Sequence, residues 1–488
     1  MSRRDVIRTP YGRHRPPVKD GRGVALRVLS EAHQVRAFGA DLLDRTLATG
    51  DLDAREAALA RELVLGVVRH RLTLDRLIDR HLHGKPSNLD PRLREILRLG
   101  LYQCLWLERI PDHAAVNEAV DQAKRLVGRR AAGLVNGLLR TILGQVVRIG
   151  PPGDGLPAAH QFCVDAQRVC DLDHAWLPDP TSDPAGYWSA ATSHPRALVG
   201  RWLKRYGPAR TEQICLYGAC RPHQWLRPNR LRISAAELAR RLRLEGAGAE
   251  PLEDTAVLYI DGPPPVTTAA FAEGLFQPQD ITGIEVVQVL DPQPGELILD
   301  LCAAPGTKTA AIAERIGNQG MVFACDRDMD RLAAGCDNFM RLGVTAVQLI
   351  APQELSDFRS RYGAPDAILL DVPCSNTGVL ARRPEARYRF TPRRLAGLTK
   401  VQSELLDRSA ELAWPGTRLL YNTCSIAREE NEAVVERFLE RHPGWKLADA
   451  ALRLPSVGRA DSPPRDGGFW ALMRNEASDS ADRSDSPS

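Results

Sequence analysis

The spacing of apolar residues changes along the chain and predicts two kinds of structure. Over residues 22–146, apolar residues recur every three or four positions, the period of helices that bury one face. Over residues 276–475, short apolar runs alternate with helical patterns. The strand candidates are 297–301, 321–324, 346–350, 367–370, 418–422 and 469–473, and the helix candidates are 309–316, 328–342, 394–413 and 429–440. This alternation predicts a mostly parallel, doubly wound α/β sheet, so the fold class is multidomain, with an all-α helical bundle beside an α/β domain.

The remaining segments are predicted from their composition. Residues 1–21 are basic and contain Pro and Gly, so we expect a flexible arm. Residues 147–190 are rich in Pro, Gly, Asp and Ala, which predicts a linker with one short helix near 162–170. Residues 191–275 alternate helical and strand patterns and predict a small α+β subdomain with a basic, RNA-binding face. The Ser- and Asp-rich segment 476–488 is expected to be disordered.

Composition narrows the class of protein. Of the 488 residues, 43% are hydrophobic and 26% are charged, which is typical of a soluble globular protein. No apolar run reaches the roughly 18 residues of a membrane span, and no secretory signal is evident. Ten cysteines without framework spacing favour a reducing, cytoplasmic location, and no Cys/His cluster has metal-ligand spacing. We therefore expect a cytoplasmic monomer without a bound metal.

The loop from Cys302 to Lys308 is the most informative local pattern. A buried strand ends here in a small-residue Pro-Gly turn, and a helix follows. The glycine positions of a nucleotide phosphate loop hold Cys302 and Thr307, so that loop is excluded. A close-approach turn before a helix N-terminus suits the amine and carboxylate of an amino-acid-like ligand. Asp326 follows the next strand, and an acidic residue there either accepts from ribose hydroxyls or caps the next helix.

Two further strands end in polar loops that contain a cysteine. Cys374 follows one apolar run and Cys424 follows another, so both are expected at the carboxyl edge of the sheet, beside the ligand loop. A thiolate is a strong nucleophile, although a lone cysteine at a strand end is more often an inert thiol. If Asp371, three residues before Cys374, lies beside the bound ligand, it is a hydrogen-bonding partner for a substrate ring nitrogen. The basic run 382–389 either contacts nucleic acid or forms a solvated loop.

These motifs resemble the RNA (cytosine-5) methyltransferases of the Nol/Nop/Sun type. The resemblance covers residues 190–475, and its motifs lie at 276–280, 300–309, 371–378, 383–385, 421–425 and 430–432. The helical N-terminal part resembles the NusB-like RNA-binding domain, with residues 134–139 similar to its last helix. That pairing is typical of the RsmB-like group of bacterial 16S ribosomal RNA methyltransferases.

The resemblance implies a Rossmann-like catalytic domain that uses S-adenosyl-L-methionine to methylate C5 of a cytosine in 16S ribosomal RNA. Carried over by position, Cys424 is the nucleophile, Cys374 assists release, and Asp371 lies between cofactor and base. Asp326 corresponds to the ribose contact. The residues implied at the methionine end of the cofactor are Cys302, Ala303, Ala304, Pro305, Gly306, Thr307 and Lys308.

The sequence departs from the family pattern at a few positions. Thr307 stands where a glycine is usual, so the backbone there must either avoid positive φ or accept strain. Val372 replaces a usual alanine. Near the third strand, residues 350–353 replace an acidic adenosine contact, and Gln353 is the candidate substitute.

Three other functions remain open from the sequence. A transfer-RNA cytosine methyltransferase would share the catalytic motifs, although the NusB-like helices argue against it. A non-catalytic RNA-binding or ribosome assembly factor would keep the fold, but it would not need both cysteines and Asp371. A small-molecule methyltransferase would leave the basic arm and the helical domain without a purpose.

Overall fold

The computed structural model describes residues 20–35, 39–48, 52–152, 157–458 and 462–476. The chain divides into two compact units, of which the first extends to Ser193 and the second begins at His194. The predicted basic arm (1–21) and tail (476–488) lie outside the described residues apart from their inner ends.

The helices predicted over residues 22–146 form the bundle of the first unit. They are α1 Gly21–Val35, α2 Gly39–Ala48, α3 Ala54–Arg69, α4 Arg71–His81, α5 Pro91–Trp106, α6 Asp112–Leu126 and α7 Arg129–Leu143. Asp53 and Asp90 cap α3 and α5 by accepting from backbone N–H groups of the first turn. Helix α5 packs against α1, α3, α4, α6 and α7 and is the centre of the bundle.

The described part of the segment predicted as a linker, residues 147–152 and 157–190, contains secondary structure, and the helix predicted near 162–170 is wrong. An antiparallel sheet forms from β1 Val146–Gly150, β2 Gln161–Cys163 and β3 Val169–Leu172, in the order β1-β3-β2, and α8 Pro184–Thr192 follows. The few apolar residues of this segment fold against the bundle. Phe162 packs on Trp106 with ring centroids 5.4 Å apart, and the Trp106 indole donates to the Val164 carbonyl at 3.1 Å. The described residues of this segment therefore form a small sheet followed by a helix.

The second unit begins with a helix and a four-stranded antiparallel sheet. Helix α9 Arg196–Ala219 kinks at Gly207, where φ is 75°. The sheet has the order β5-β6-β4-β7. Its elements are β4 Gln224–Pro228, α10 Ala235–Leu244, β5 Gly248–Leu252, β6 Ala256–Asp261, α11 Ala269–Ala272 and β7 Phe276–Pro278. Strand β4 ends at Pro228 because the next side chain, Asn229, turns inward and donates to the carbonyls of Gly274 and Leu342.

A seven-stranded sheet forms the larger part of the second unit, and it confirms the predicted α/β fold class. Its strands are β8 Leu297–Asp300, β9 Met321–Ala324, β10 Val347–Leu349, β11 Ala367–Asp371, β12 Arg418–Thr423, β13 Trp445–Arg453 and β14 Gly468–Asn475. Their order is β10-β9-β8-β11-β12-β14-β13. The first five strands in that order are parallel, and β14 runs antiparallel to β12 and β13. The carboxyl ends of β8, β9, β11 and β12 therefore meet at one edge.

Helices cover both faces of this sheet. They are α12 Ile281–Leu290, α13 Thr307–Arg315, α14 Met329–Ala333, α15 Cys336–Leu342, α16 Phe358–Tyr362, α17 Ala386–Arg389, α18 Pro392–Leu412 and α19 Glu432–Arg441. Apolar residues of α12, α13 and α15 pack on one face, and those of α16, α18 and α19 pack on the other. Successive strand residues point to opposite faces of the sheet, so Leu369 lies in one hydrophobic cluster and Leu370 in the other.

Two elements of this domain differ from the prediction. The helix predicted over 328–342 is two helices, α14 and α15, which meet at Gly335. A side chain at Gly335 would lie 2.2 Å from the Pro305 carbonyl oxygen, so the break lets this segment approach the ligand loop closely. Strand β13 was not predicted, because most of its residues are exposed and its sequence lacks a buried apolar run.

One buried ion pair joins the smaller sheet to the Rossmann-like sheet. Arg227 of β4 donates to both carboxylate oxygens of Glu314 in α13, at 2.7 and 3.1 Å, and both residues are buried. Arg227 also donates to the Thr307 carbonyl at 3.1 Å, at the start of α13. The pair therefore positions the helix that follows the ligand loop.

Replacing Arg227 with methionine leaves the Glu314 charge buried without its cation. We expect the free energy of unfolding, from urea denaturation, to fall by about 3–5 kcal/mol. The double variant Arg227→Met/Glu314→Met removes both charges and should recover much of this loss. A single variant as stable as the wild type would contradict this account of the pair.

Candidate active site

The loop between β8 and α13 folds back on the neighbouring strand. The Ala303 N–H donates to the Cys325 carbonyl at 3.0 Å, and the Gly306 N–H donates to the Ala303 carbonyl at 2.6 Å. Gly306 has φ 98°, and a side chain there would lie 2.5 Å from the Phe339 ring. Glycine is therefore required at this position by both conformation and space.

Thr307 is accommodated without strain, which accounts for the departure from the family pattern. It is the first residue of α13, and the positive φ of the turn belongs to Gly306. Helix α13 receives no side-chain cap at its N-terminus. Backbone N–H groups at such a terminus attract an anion such as a carboxylate.

Asp326 lies directly after β9 and contacts the same loop. One carboxylate oxygen accepts from the Ala304 N–H at 2.9 Å, and the other accepts from the Asp328 N–H at 2.8 Å. A carboxylate has about four acceptor positions, so each oxygen of half-buried Asp326 retains one. These two positions match the two donors of a ribose diol.

Asp300 ends β8 underneath the loop. It is buried, and it accepts from the Thr309 hydroxyl at 2.8 Å. Burial raises the pKa of Asp300 to about 7, against the opposing effect of the Thr309 hydrogen bond. Burial, together with the charges of Asp300, Asp371 and Asp326, also raises the pKa of Cys302 well above its usual value. Cys302 is therefore a neutral thiol that shapes the loop and is not a candidate nucleophile.

Asp371 ends β11 and joins the ligand loop to the cysteine loops. It accepts from the Lys308 ammonium and from the Asn422 side-chain amide, both at 2.5 Å. Burial acts to lower the pKa of Lys308, but the charge and hydrogen bond of Asp371, assisted by Cys424, outweigh it and raise that pKa. Lys308, which the resemblance implied at the cofactor, thus extends to Asp371 and carries its positive charge toward Cys424.

The two cysteines predicted at this edge are in contact. The sulfur atoms of Cys374 and Cys424 are 3.0 Å apart, and the Cys424 sulfur lies 3.1 Å from the Asn376 side-chain oxygen. Asn376 has φ 60° and donates to the Cys374 carbonyl at 3.0 Å, a left-handed position that asparagine tolerates. The turn after Cys374 therefore places the Asn376 side chain against the Cys424 sulfur.

The two thiols have different environments. Cys374 is buried, and its pKa is raised well above the usual value by its hydrogen bond to Cys424 and then by burial. Cys424 is half-buried and more accessible. Of the two sulfur atoms, that of Cys424 is therefore the more accessible to a substrate.

A buried carboxylate holds the two cysteine loops together. Glu430 is fully buried and accepts from the Ser375 N–H at 2.8 Å, from the Ser375 hydroxyl, and from the Ser425 hydroxyl at 2.6 Å. Gln402 of α18 donates to the same carboxylate at 3.2 Å and to the Pro373 carbonyl at 2.9 Å. Ser375 follows Cys374 and Ser425 follows Cys424, so one carboxylate sets the separation of the thiols.

The neighbouring residues extend this network. Asn431 accepts from the Thr423 hydroxyl at 2.6 Å and donates to the Ser425 carbonyl at 2.9 Å. The Thr377 and Ser425 hydroxyls are 3.0 Å apart. Sequence reasoning gave no role to Glu430, Asn431 or Gln402. A polar Glu-Asn pair directly after the second cysteine loop was the available signal, whereas Gln402, within a long helix, had none.

One expectation about a charged segment needs correction. The basic run 382–389 is in part structural, because Arg382 pairs with Asp466 at 2.6 Å and Arg387 is buried and donates to the Gly218 carbonyl. Gln353 is exposed. An acidic side chain is nevertheless present at this strand end, since Glu354 accepts from the Ala351 N–H at 2.7 Å.

Membrane-spanning and metal-binding features are absent from the described residues. Among them, no helix is both long enough and apolar enough to cross a bilayer. No group of three or more His, Cys, Asp or Glu side chains in the described part of the chain could share a metal ion.

Three family profiles match the chain. Residues 287–461 match the family described as 16S rRNA methyltransferase RsmB/F. Residues 19–144 match the NusB family, and residues 194–267 match the ferredoxin-like domain of the RsmF/B-like methyltransferases.

Similar proteins extend the match to most of the chain. The chain is 33% identical over 445 residues to the probable ribosomal RNA small subunit methyltransferase B of Bacillus subtilis, covering 90% of this chain and 92% of that protein. It is 35% identical over 437 residues to the corresponding protein of Synechocystis sp., covering 87% and 90%. A solved methyltransferase homolog from Pyrococcus horikoshii is 26% identical, with a TM-score of 0.51, covering 61% of this chain and 99% of that chain. The chain belongs to the RsmB/F family of 16S rRNA methyltransferases, which confirms the resemblance drawn from the sequence.

The raised pKa of Asp300 predicts a pH dependence of stability. Its folded-state pKa of about 7 exceeds the ordinary value of 3.8, so the folded protein holds a proton that the unfolded chain releases in this window. Stability should therefore fall as pH rises through the window and level off above it. Relative to Asp300→Asn, the wild type should lose on the order of 2 to 3 kcal/mol between about pH 5 and about pH 7. Urea titrations of both proteins measure this difference, and parallel pH profiles would refute it.

The Glu430 carboxylate predicts a second effect. In Glu430→Gln the amide nitrogen cannot accept, so at least one buried donor loses its partner at a cost of about 1.5–3 kcal/mol. We expect lower stability in urea and a reduced rate of methyl transfer, because the cysteine loops lose their common acceptor. Glu440→Gln, an exposed position on α19, is the matched control. Unchanged stability and rate in Glu430→Gln would show that the loops do not depend on this carboxylate.

Proposed function

We propose that the protein methylates C5 of a specific cytosine in 16S ribosomal RNA through a covalent bond between Cys424 and C6 of the base. The observation that carries this proposal is the pair of thiols 3.0 Å apart, one accessible and one buried, beside a carboxylate–lysine pair. The names of the relatives, ribosomal RNA small subunit methyltransferase B, support the substrate.

The ligand loop fits S-adenosylmethionine by its donors and acceptors. The N-terminus of α13 suits the methionine carboxylate, and the two remaining acceptor positions of Asp326 suit the ribose diol. Because Gly306 has no side chain, a ligand can approach the backbone of the turn closely. When bound, the cofactor supplies an electrophilic methyl group. We assign Ala303, Ala304, Pro305 and the start of α13 to the methionine end and Asp326 to the ribose.

Cys424 begins the reaction because cytosine C5 is a weak nucleophile by itself. The Cys424 thiolate forms a bond to C6, the C5–C6 double bond opens, and the electron pair moves to C5, which becomes the carbon that accepts the methyl group. The Lys308 ammonium, paired with Asp371, interacts electrostatically with Cys424. Asn376, 3.1 Å from the sulfur, holds the side chain in place.

Asp371 orients the base during this addition. Its carboxylate is about one-third exposed and is fixed by Lys308 and Asn422, so it retains acceptor positions toward the substrate. The exocyclic amine of cytosine is a donor that matches them. Uracil has a carbonyl at the same position, so this contact favours cytosine.

Release requires loss of the C5 proton and breakage of the C6–sulfur bond. A solvent base, water or hydroxide, takes the C5 proton, the electron pair of the C5–H bond re-forms the C5–C6 double bond, and the Cys424 sulfur leaves as a thiolate. Cys374 touches that sulfur, and we assign it to this step. The base must be unstacked to reach the two cysteines, so we expect the target in a loop or an opened helix.

The cysteine roles predict different behaviour for two variants. Cys424→Ala should abolish methyl transfer, because no covalent bond to C6 can form. Cys374→Ala should form the bond but release it slowly, so protein–RNA adduct accumulates. The measurement is a denaturing gel of protein, unmodified 16S ribosomal RNA and radiolabelled S-adenosylmethionine.

Cys104→Ala is the control, because Cys104 is a half-buried thiol of the first unit. It should transfer methyl groups as the wild type does, without adduct. Adduct in Cys424→Ala rather than in Cys374→Ala would reverse the two roles. Absence of both label and adduct with this RNA would reject the 16S substrate and favour a transfer RNA or a binding function.

A further inference from the structure

Two adjoining cavities lie beside the second cysteine loop. One has a volume of about 360 Å³ and the other about 430 Å³, and they share Leu198, Arg201, Phe390 and Glu429 as lining residues. Together they form a trough between the first half of α9, the N-terminal end of α18 and the loop before α19. Each volume falls in the range of sites that hold a small organic ligand.

The trough begins at the cysteine loops. Thr377 and Ile426 line the first cavity, and Ile426 follows Cys424 by two residues. The Ile426 N–H donates to the Thr377 hydroxyl at 3.0 Å, and its carbonyl accepts from the Tyr206 hydroxyl at 2.5 Å. The trough therefore lies beside the loop that carries Cys424.

The trough has an excess of positive charge. Its acidic residue Glu429 is paired with Arg201 at 2.6 Å. Lys204 at the first cavity and Arg437 at the second are exposed, and neither has an ion pair among the described residues. Two unpaired cations along one groove suit the phosphates of a nucleic-acid strand.

The trough also offers a stacking surface. The Arg201 guanidinium lies over the Phe390 ring, 5.3 Å from its centroid, and Phe390 is half-buried between the two cavities. Unstacked RNA bases bind to aromatic rings and to guanidinium planes. An aromatic and arginine stack flanked by cations has the composition of a single-strand site.

We propose that this trough binds the single-stranded RNA nucleotides next to the target cytosine, with a base on the Arg201–Phe390 stack and phosphates at Lys204 and Arg437. The position of the target within this strand rests on the function proposed above. The trough thereby keeps the flanking strand open while the target base occupies the cysteine site, and it contributes to the choice of sequence.

The test measures binding of a short fluorescein-labelled single-stranded RNA that contains one cytosine, by anisotropy with the full chain. Phe390→Leu should weaken binding about 5- to 100-fold, the effect of losing one stacked base. Phe390→Trp, which keeps an aromatic ring, should retain binding. Lys204→Glu should weaken binding and lower the slope of log Kd against log salt by about 0.7 for each phosphate that is no longer neutralised.

Lys446→Glu is the matched charge control. Lys446 is opposite Arg474 of β14, which is opposite Arg418 at the start of β12. It therefore lies at the end of the sheet away from the cysteines, and this variant should bind RNA as the wild type does. Thermal melting and S-adenosylmethionine binding of every variant exclude a folding defect. Wild-type affinity in both Lys204→Glu and Phe390→Leu would overturn the proposal.

Methyl transfer by the same proteins separates this proposal from the proposed function. If the trough variants lose RNA binding while the wild type methylates no RNA, the trough is supported and the cytosine chemistry is rejected. If the wild type methylates 16S ribosomal RNA and the trough variants match it in KM and kcat, the chemistry stands and the trough is rejected.

Discussion

The buried carboxylate of Glu430 is the constraint on which the catalytic arrangement depends. Each cysteine follows a different parallel strand, and the two loops are separated by fifty residues of chain. The parallel ladder between β11 and β12 ends at Asp371 and Asn422. Beyond it, the Gly378 N–H donates to the Cys424 carbonyl at 3.0 Å. Glu430 also accepts there from the serine that follows each cysteine. A buried carboxylate that accepts several hydrogen bonds forms a rigid network, and removing one of its partners costs free energy of folding.

A second ionic contact joins the ligand loop to the cysteine loops. Lys308 leaves the first turn of α13 and meets Asp371, so the helix that ends the ligand loop is tied to the strand that leads to Cys374. The ligand loop and the cysteine loops thus share one charged pair. Arg227 fixes α13 from the smaller sheet through Glu314 and the Thr307 carbonyl, so a change in that sheet would reach the active site through one helix.

Much of the fold could be predicted from the sequence, because apolar runs ending in polar loops identify parallel strands and their carboxyl edge. Loops that follow parallel strands meet at this edge, so the proximity of Cys374, Cys424 and the turn at Gly306 could be predicted. Glu430 could not be assigned, since its partners lie on three separate segments of the chain. The sheet within residues 147–190 was missed because its few apolar residues are stabilised by Trp106, an element distant in sequence. Strand β13 was missed because it is an exposed edge.

The central claim is that the Cys424 sulfur, and not the Cys374 sulfur, bonds to the base. It is tested most directly with 16S ribosomal RNA that contains 5-fluorocytidine in place of cytidine. Release requires removal of a proton from C5. When fluorine replaces that hydrogen, no proton can be removed, so the adduct persists. Digestion of the wild-type adduct and mass spectrometry identify the attached peptide. The account predicts the nucleotide on Cys424, whereas attachment to Cys374 would contradict it.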